Sequence, residues 1–165
     1  MPAHLITFGT YGTRLHGDPR GSFKRHGRFI ASNGALESYQ LATLRAAPFA
    51  LDEDARSMVV VTAREVCAHK NWPLTAIHAR TEHVHAVVAV DVPIERAINS
   101  IKAWCTRRLR EQGLVEPSRP LWAHGANHAQ LADTEAIYVA REYVLNRQGA
   151  MMASWDGIAE RETGR

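Results

Sequence analysis

Leu74-Thr75-Ala76-Ile77-His78-Ala79 and His83-Val84-His85-Ala86-Val87-Val88-Ala89-Val90 are two apolar runs on either side of Arg80-Thr81-Glu82, the pattern of an antiparallel hairpin. Side chains alternate across a strand, so His83 and His85 point to one face of the sheet and Val84 to the other. Two imidazoles then converge and can share one cation, and the apolar run that follows them marks the strand as central. Paired strand histidines also occur as half-buried polar residues. A metal site at this pair is incomplete and needs a third ligand from elsewhere in the chain.

Outward from the hairpin, the segments fall into a regular order. Upstream, Leu51 to Lys70 opens with Asp52-Glu53-Asp54, acids suited to a helix N-terminus, and spaces Val59, Val60, Ala63, Val66 and Cys67 as one helical face before the Asn71-Trp72-Pro73 break. Downstream, Pro93 starts a second helix with Ile94, Ala97, Ile98, Ile101, Trp104, Cys105 and Leu109 on one side, a basic opposite side, and a stop near Gly113. His4 to Phe8 predicts a first strand ended by Gly9, and the Gly-, Arg- and His-rich stretch Gly9 to Gly34 predicts a long loop. Leu121-Trp122 is the candidate fourth strand, and a third helix capped by Asp133 or Thr134 runs to about Gly149. The expected fold is α+β and ferredoxin-like (split βαβ). Its four-stranded antiparallel sheet carries two helices on one face, with the C-terminal helix added. The domain is expected to span residues 1–150, with 151–165 a polar, frayed tail.

Composition narrows the function classes. A chain of 165 residues that is 45% hydrophobic fits one domain with a proper core. Lys and Arg number 20 against 17 Asp and Glu, a net charge of +3, so a nucleic-acid site has to be a local feature. Cys67 and Cys105 stand far apart with no CxxC, so neither a disulfide framework nor a thiolate zinc site is indicated and a reducing cytoplasm is the expected setting. Ala86 to Val90, the longest apolar run, is far below the roughly 18 residues of a membrane span. The lack of GxGxxG or a P-loop argues against dinucleotide and nucleotide cofactors.

The third ligand is sought in the last helix, where Ile137, Ala140 and Val144 recur at helical spacing and Tyr143 is followed by Asn146, Arg147 and Gln148. Tyrosines in such positions are usually core or surface aromatics, and only the combination with the histidine pair singles one out. Three blocks carry a resemblance: Thr81-Glu82-His83-Val84-His85-Ala86-Val87-Val88, Tyr143-Val144-Leu145-Asn146-Arg147-Gln148-Gly149, and the opening stretch from Leu5-Ile6-Thr7-Phe8-Gly9 to Gly21-Ser22. Together, over about residues 4 to 150, they resemble the HUH-superfamily single-tyrosine transposases of small insertion sequences and their chromosomal relatives, the REP-associated tyrosine transposases. Two departures stand out. Glu82 occupies a position where that family commonly has Asn, with the prospect of an acidic oxygen near the metal. The amide usually lies four residues after the Tyr, where this chain has Arg147, so Asn146 and Gln148 both remain candidate ligands and Gln148 needs the last turn to fray.

The resemblance implies metal-dependent nicking and rejoining of single-stranded DNA at hairpins. Tyr143 would act as nucleophile and form a 5′-phosphotyrosine, and Mg²⁺ or Mn²⁺ would sit on His83, His85 and one amide. A phenol of ordinary pKa, about 10, keeps its proton at neutral pH, and the cation or Arg147 would ease its loss. Tyr138 is expected to pack. The cations Arg14, His16, Arg20, Lys24, Arg25 and Arg28 of the loop and Lys102, Arg107, Arg108 and Arg110 of the second helix suit phosphates, as does Arg147. Each group alone is equally well a solvated surface. Trp122, His124 and His128 either stack bases or pack the fourth strand. The resemblance leaves open a monomer or a homodimer with exchanged C-terminal helices. The competing function is a nucleic-acid-binding protein that keeps the scaffold with weakened catalysis. A metal phosphohydrolase using activated water is the third reading, and it would not need Tyr143.

Overall fold

The histidine hairpin forms as the alternation requires. Strands Leu74–Ala79 and His83–Ala89 pair antiparallel with His78 opposite His85 and Ala79 opposite Val84, and the Arg80 N–H donates to the His83 carbonyl at 2.8 Å to close the turn. The structure, a computed structural model, describes residues 1–23 and 28–164. Its elements are β1 (Ala3–Gly9), β2 (Ser22–Phe23), β3 (Phe29–Ile30), α1 (Gly34–Ala42), α2 (Glu53–His69), β4 (Leu74–Ala79), β5 (His83–Ala89), α3 (Ile94–Glu111), β6 (Asn127–Leu131), α4 (Thr134–Asn146), β7 (Ala153–Asp156) and α5 (Gly157–Thr163). Among the described residues, no helix is long and apolar enough to cross a membrane.

The sheet runs β6-β1-β5-β4-β7, and every neighbouring pair is antiparallel. The expected four-stranded sheet is therefore corrected to five strands. The fifth comes from the segment expected to be a frayed tail: β7 pairs with β4, and Asp156 then caps α5 by accepting the Ile158 and Ala159 N–H groups. All four β7 residues are only half-buried, so no apolar alternation announced the strand. A second correction concerns Leu121-Trp122, where Trp122 makes a single bridge to Thr10. The edge strand beside β1 is β6, whose first four residues are exposed and offer no hydrophobic pattern. Within the stretch expected to be one long loop, β2 and β3 form a two-residue ribbon. The helix that follows, α1, has no buried residue and starts where the Asn33 side chain accepts the Leu36 N–H.

The two faces of the sheet divide the helices. Ile6, Phe8, Ile77, Ala79, Val84, Ala86 and Val88 belong to one core with Val59, Ala63 and Val66 of α2 and Ile98, Ile101 and Leu109 of α3. Asp52 caps α2 through its bond from the Ala55 N–H, and Asn71, at φ 55°, turns the chain out of α2 and back into β4. On the other face Ala76 and Val87 pack against Ala140, Val144 and Leu145 of α4 in a separate cluster. Asp133 caps α4, accepting the Ala136 N–H at 2.8 Å.

Candidate active site

Strand alternation decides which face carries the polar groups. Val84 is fully buried in the α2–α3 core, while His83 and His85, its neighbours on either side, turn their rings to the α4 face. Those rings lie 4.6 Å apart, centroid to centroid, edge to face. Opposite His85 on β1 is Thr7, and its hydroxyl bonds His85 Nδ1 at 2.8 Å. His85 is 6% exposed, and its Nε2 is buried without a hydrogen-bond partner. An unmade bond of this kind costs about 1–3 kcal/mol. With Nδ1–H directed at the threonine oxygen, Nε2 presents a lone pair to the space above the sheet, the form in which imidazole ligates a cation.

The electrostatics favour the same form. Burial drives the pKa of His85 down to about 3, assisted by His83, His78, Arg80 and Arg14. His83 is lowered as well, first by burial and then by Arg14 and Arg80. Both rings are thus neutral near pH 7, as metal ligands must be. Among the described residues no set of three His, Cys, Asp or Glu side chains is placed to hold a metal ion. Among those residues, a third side-chain ligand to the pair would have to be an amide or a hydroxyl.

The helix α4 brings its tyrosine to this pair. The Tyr143 ring lies 5.8 Å from the His85 ring, edge to face, and is 40% exposed. Tyr138, expected to pack, is 50% exposed instead. Both candidate amides stand at the end of α4. Asn146 Nδ2 donates to Glu142 Oε2 at 2.8 Å, and Gln148, beyond the helix, turns back so that Nε2 donates to the Tyr143 carbonyl at 3.2 Å. In each case the nitrogen is engaged and the oxygen, the atom a hard cation takes, is left over.

The charged residues sort differently from the sequence expectation. Glu82 is paired with Arg20, whose Nη1 lies 3.3 Å from Glu82 Oε2. Arg20 also grips buried Asp18 through two bonds of 2.8 and 2.7 Å and holds that carboxyl down to about 2. The loop is thereby tied to the hairpin rim. His16 fastens the same loop to its surroundings: its Nδ1 meets Ser22 Oγ at 2.9 Å and its N–H donates to Gln40 Oε1 at 2.7 Å. Lys24 and Arg25 lie outside the described residues. Arg14, Arg28 and Arg147 are exposed, and Arg14 bears on both site histidines.

On the second basic element, Lys102 is a correction. It is 8% exposed and donates to the Ala123 and Gly125 carbonyls at 3.1 and 2.6 Å, and burial takes its pKa to about 8, so it fixes a loop and is no surface cation. Arg108 is paired with Glu65 of α2 at 2.6 Å, and Arg107 stacks on Trp104 and lies 3.8 Å from Glu111. Moreover, α3 packs on the sheet face opposite the histidine pair, so its cations do not border the site. Trp122 packs: its indole N–H donates to Lys102 O and Thr106 Oγ1, and its ring meets Phe8 edge to face. His128 bonds Glu95 at 3.2 Å, and His124 is exposed. Sequence reasoning missed Arg80. Its place two residues after His78 puts it on the α4 face by alternation, and it acts on all three histidines there.

A family model described as IS200-like transposase matches residues 46–147, more than half of the chain and the part that includes the histidine pair and Tyr143. No curated protein matches. The fold is similar to a solved structure described as the REP-associated tyrosine transposase bound to a REP hairpin. That likeness has 12% identity and a TM-score of 0.49, and covers 88% of this chain and 66% of that one. On the family match across residues 46–147, the chain belongs to the IS200-like transposase family.

Proposed function

We propose that the protein nicks and rejoins single-stranded DNA at hairpins, with Tyr143 as nucleophile and a divalent cation, Mg²⁺ or Mn²⁺, on His83, His85 and the amide of Asn146 or Gln148. The observation that carries this reading is the contact of the Tyr143 ring with His85, whose buried Nε2 has no protein partner. Family membership supports the same chemistry, and the solved relative was determined with a DNA hairpin.

In the reaction, Tyr143 Oη attacks a backbone phosphorus of the DNA. The new bond is Tyr143 O–P and the bond broken is P–O3′. The phenolic proton ends on the departing 3′-oxygen, and the 5′-phosphate remains on the tyrosine. Rejoining is the reverse attack by a 3′-hydroxyl, so the phosphodiester energy is retained. A bound divalent cation supplies Lewis-acid stabilisation of the phosphate oxygens. The chain's own contributions are specific. Thr7 holds the His85 tautomer, and Arg14 and Arg80, which form no ion pair with a carboxylate among the described residues, supply positive charge beside an incoming phosphate. Tyr143 is 40% exposed, which leaves it open to a strand arriving over the α4 face.

The test is incubation with labelled single-stranded hairpin oligonucleotides and Mn²⁺ or Mg²⁺, followed by a denaturing gel. The wild type is expected to give a covalent adduct and Tyr143→Phe none. Hairpin binding without an adduct, across hairpins drawn from the source genome, would establish the binding-only reading. Cleavage that persists in Tyr143→Phe would establish the hydrolase reading.

A further inference from the structure

His78 is the third histidine on the α4 face, and the chemistry above does not use it. Its side chain is fully buried, and its strand position is directly opposite His85. The ring spans the two ends of the chain segment that follows the nucleophile. Its Nδ1–H donates to the Val144 carbonyl at 3.0 Å, and the Met152 N–H donates to its Nε2 at 3.1 Å. Only a neutral ring with its proton on Nδ1 makes both bonds. Val144 is adjacent to Tyr143 and belongs to the last turn of α4, where helix carbonyls lack an intrahelical partner, so His78 satisfies a group that the helix cannot. Two residues further along the same strand face, Arg80 Nη1 donates to the Ala150 carbonyl at 2.8 Å. After Met152 the chain enters β7, which pairs with β4 itself, and Asp156 of β7 forms an ion pair with Arg141 of α4. These ties on the end of the tyrosine helix thus run to the strand beside the histidine pair or to its immediate neighbour.

We propose that His78 is a positioning residue for Tyr143, fixing the end of α4 to β4 so that the tyrosine is delivered to His83 and His85 of its own chain. The kinetic part of this inference rests on the nuclease reading, whereas the anchoring does not. The experiment compares wild type, His78→Leu, which removes both bonds, and His78→Gln, whose amide can both donate and accept. It measures adduct formation at saturating hairpin oligonucleotide and Mn²⁺, hairpin affinity, and amide hydrogen exchange at Met152. His78→Leu is expected to slow adduct formation by about 10- to 100-fold, the scale of a small misplacement of a reacting group, with hairpin affinity within about twofold. Met152 should exchange at least about tenfold faster, and His78→Gln should recover most of both losses. Wild-type rate and wild-type Met152 protection in His78→Leu would overturn the proposal. Mixing Tyr143→Phe with His85→Ala tests delivery within one chain: no adduct is expected, and restored adduct would overturn it. If the wild type itself gives no adduct, the nuclease reading falls while Met152 exchange still decides the anchoring.

Discussion

The two faces of the sheet are built from the same strands and serve opposite ends. On the α2–α3 face, Ile6, Phe8, Val84, Ala86 and Val88 meet two long helices, and Lys102, drawn into that region, donates to two carbonyls, while the buried Thr62 Oγ1 of α2 and His4 Nδ1 of β1 have no partner among the described residues. On the α4 face the apolar cluster is small, and beside it lie a tyrosine open to solvent and, among the described residues, a buried imidazole nitrogen with no partner and two arginines that pair with no carboxylate. Each buried polar atom without a partner costs about 1–3 kcal/mol, and on the α4 face that atom stands beside an open tyrosine. The division of labour follows from alternation: each strand contributes Val84-type residues to one side and His85-type residues to the other.

Several substitutions test that division, from the largest effect down. Tyr143→Phe is expected to remove adduct formation by at least about a thousandfold, with the melting temperature unchanged because the substitution keeps the ring that lies beside His85. Leu109→Ala, on the opposite face and fully buried, should cost about 2–5 kcal/mol of stability in a denaturant titration. Its adduct rate per folded molecule should stay at the wild-type level. Should that variant lose activity while fully folded, the two faces are coupled and the comparison fails. Thr7→Val keeps the shape and removes the hydroxyl that orients His85. The expected result is a 10- to 100-fold loss of Mn²⁺ affinity, read by calorimetry, with little change in stability.

The smallest effect concerns the loop bordering the α4 face. Asp18 has its folded pKa held at about 2 by Arg20, below the ordinary carboxylate value. A lowered folded pKa means that the unfolded chain takes up the proton first. The stabilisation is therefore complete above about pH 4 and is lost as pH falls from there through about 2. Thermal melts should show wild type above Asp18→Asn at pH 6 and the two converging near pH 2. A gap that does not narrow would remove the Asp18–Arg20 pair as its cause.

Periodicity made part of this architecture readable in one dimension. The spacing of Val59, Ala63 and Val66 and of Ile98, Ile101 and Leu109 gave α2 and α3, and the His83-Val84-His85 alternation put two imidazoles on one face. Elements without an apolar face escaped it: β6 is exposed, β7 half-buried, and α1 buries nothing. Charge was misread for a related reason. A sequence shows that Lys102 is cationic but not that its stem crosses an apolar surface to reach the Ala123 and Gly125 carbonyls.

What the sequence alone determined is therefore whatever depends on neighbours along the chain: helix faces, strand alternation, the acids that open α2, a cap for α4 at Asp133 or Thr134, and the histidine pair itself. The tertiary structure decided what depends on register between strands and on which face a helix lands. Thr7 reaches His85 because β1 and β5 pair in one register, and shifting that register by one residue would turn Thr7 to the other side. Tyr143 reaches His85 because α4 packs on Ala76 and Val87 and its end is tied to His78. These contacts join residues far apart in the chain, and no local spacing encodes their distance.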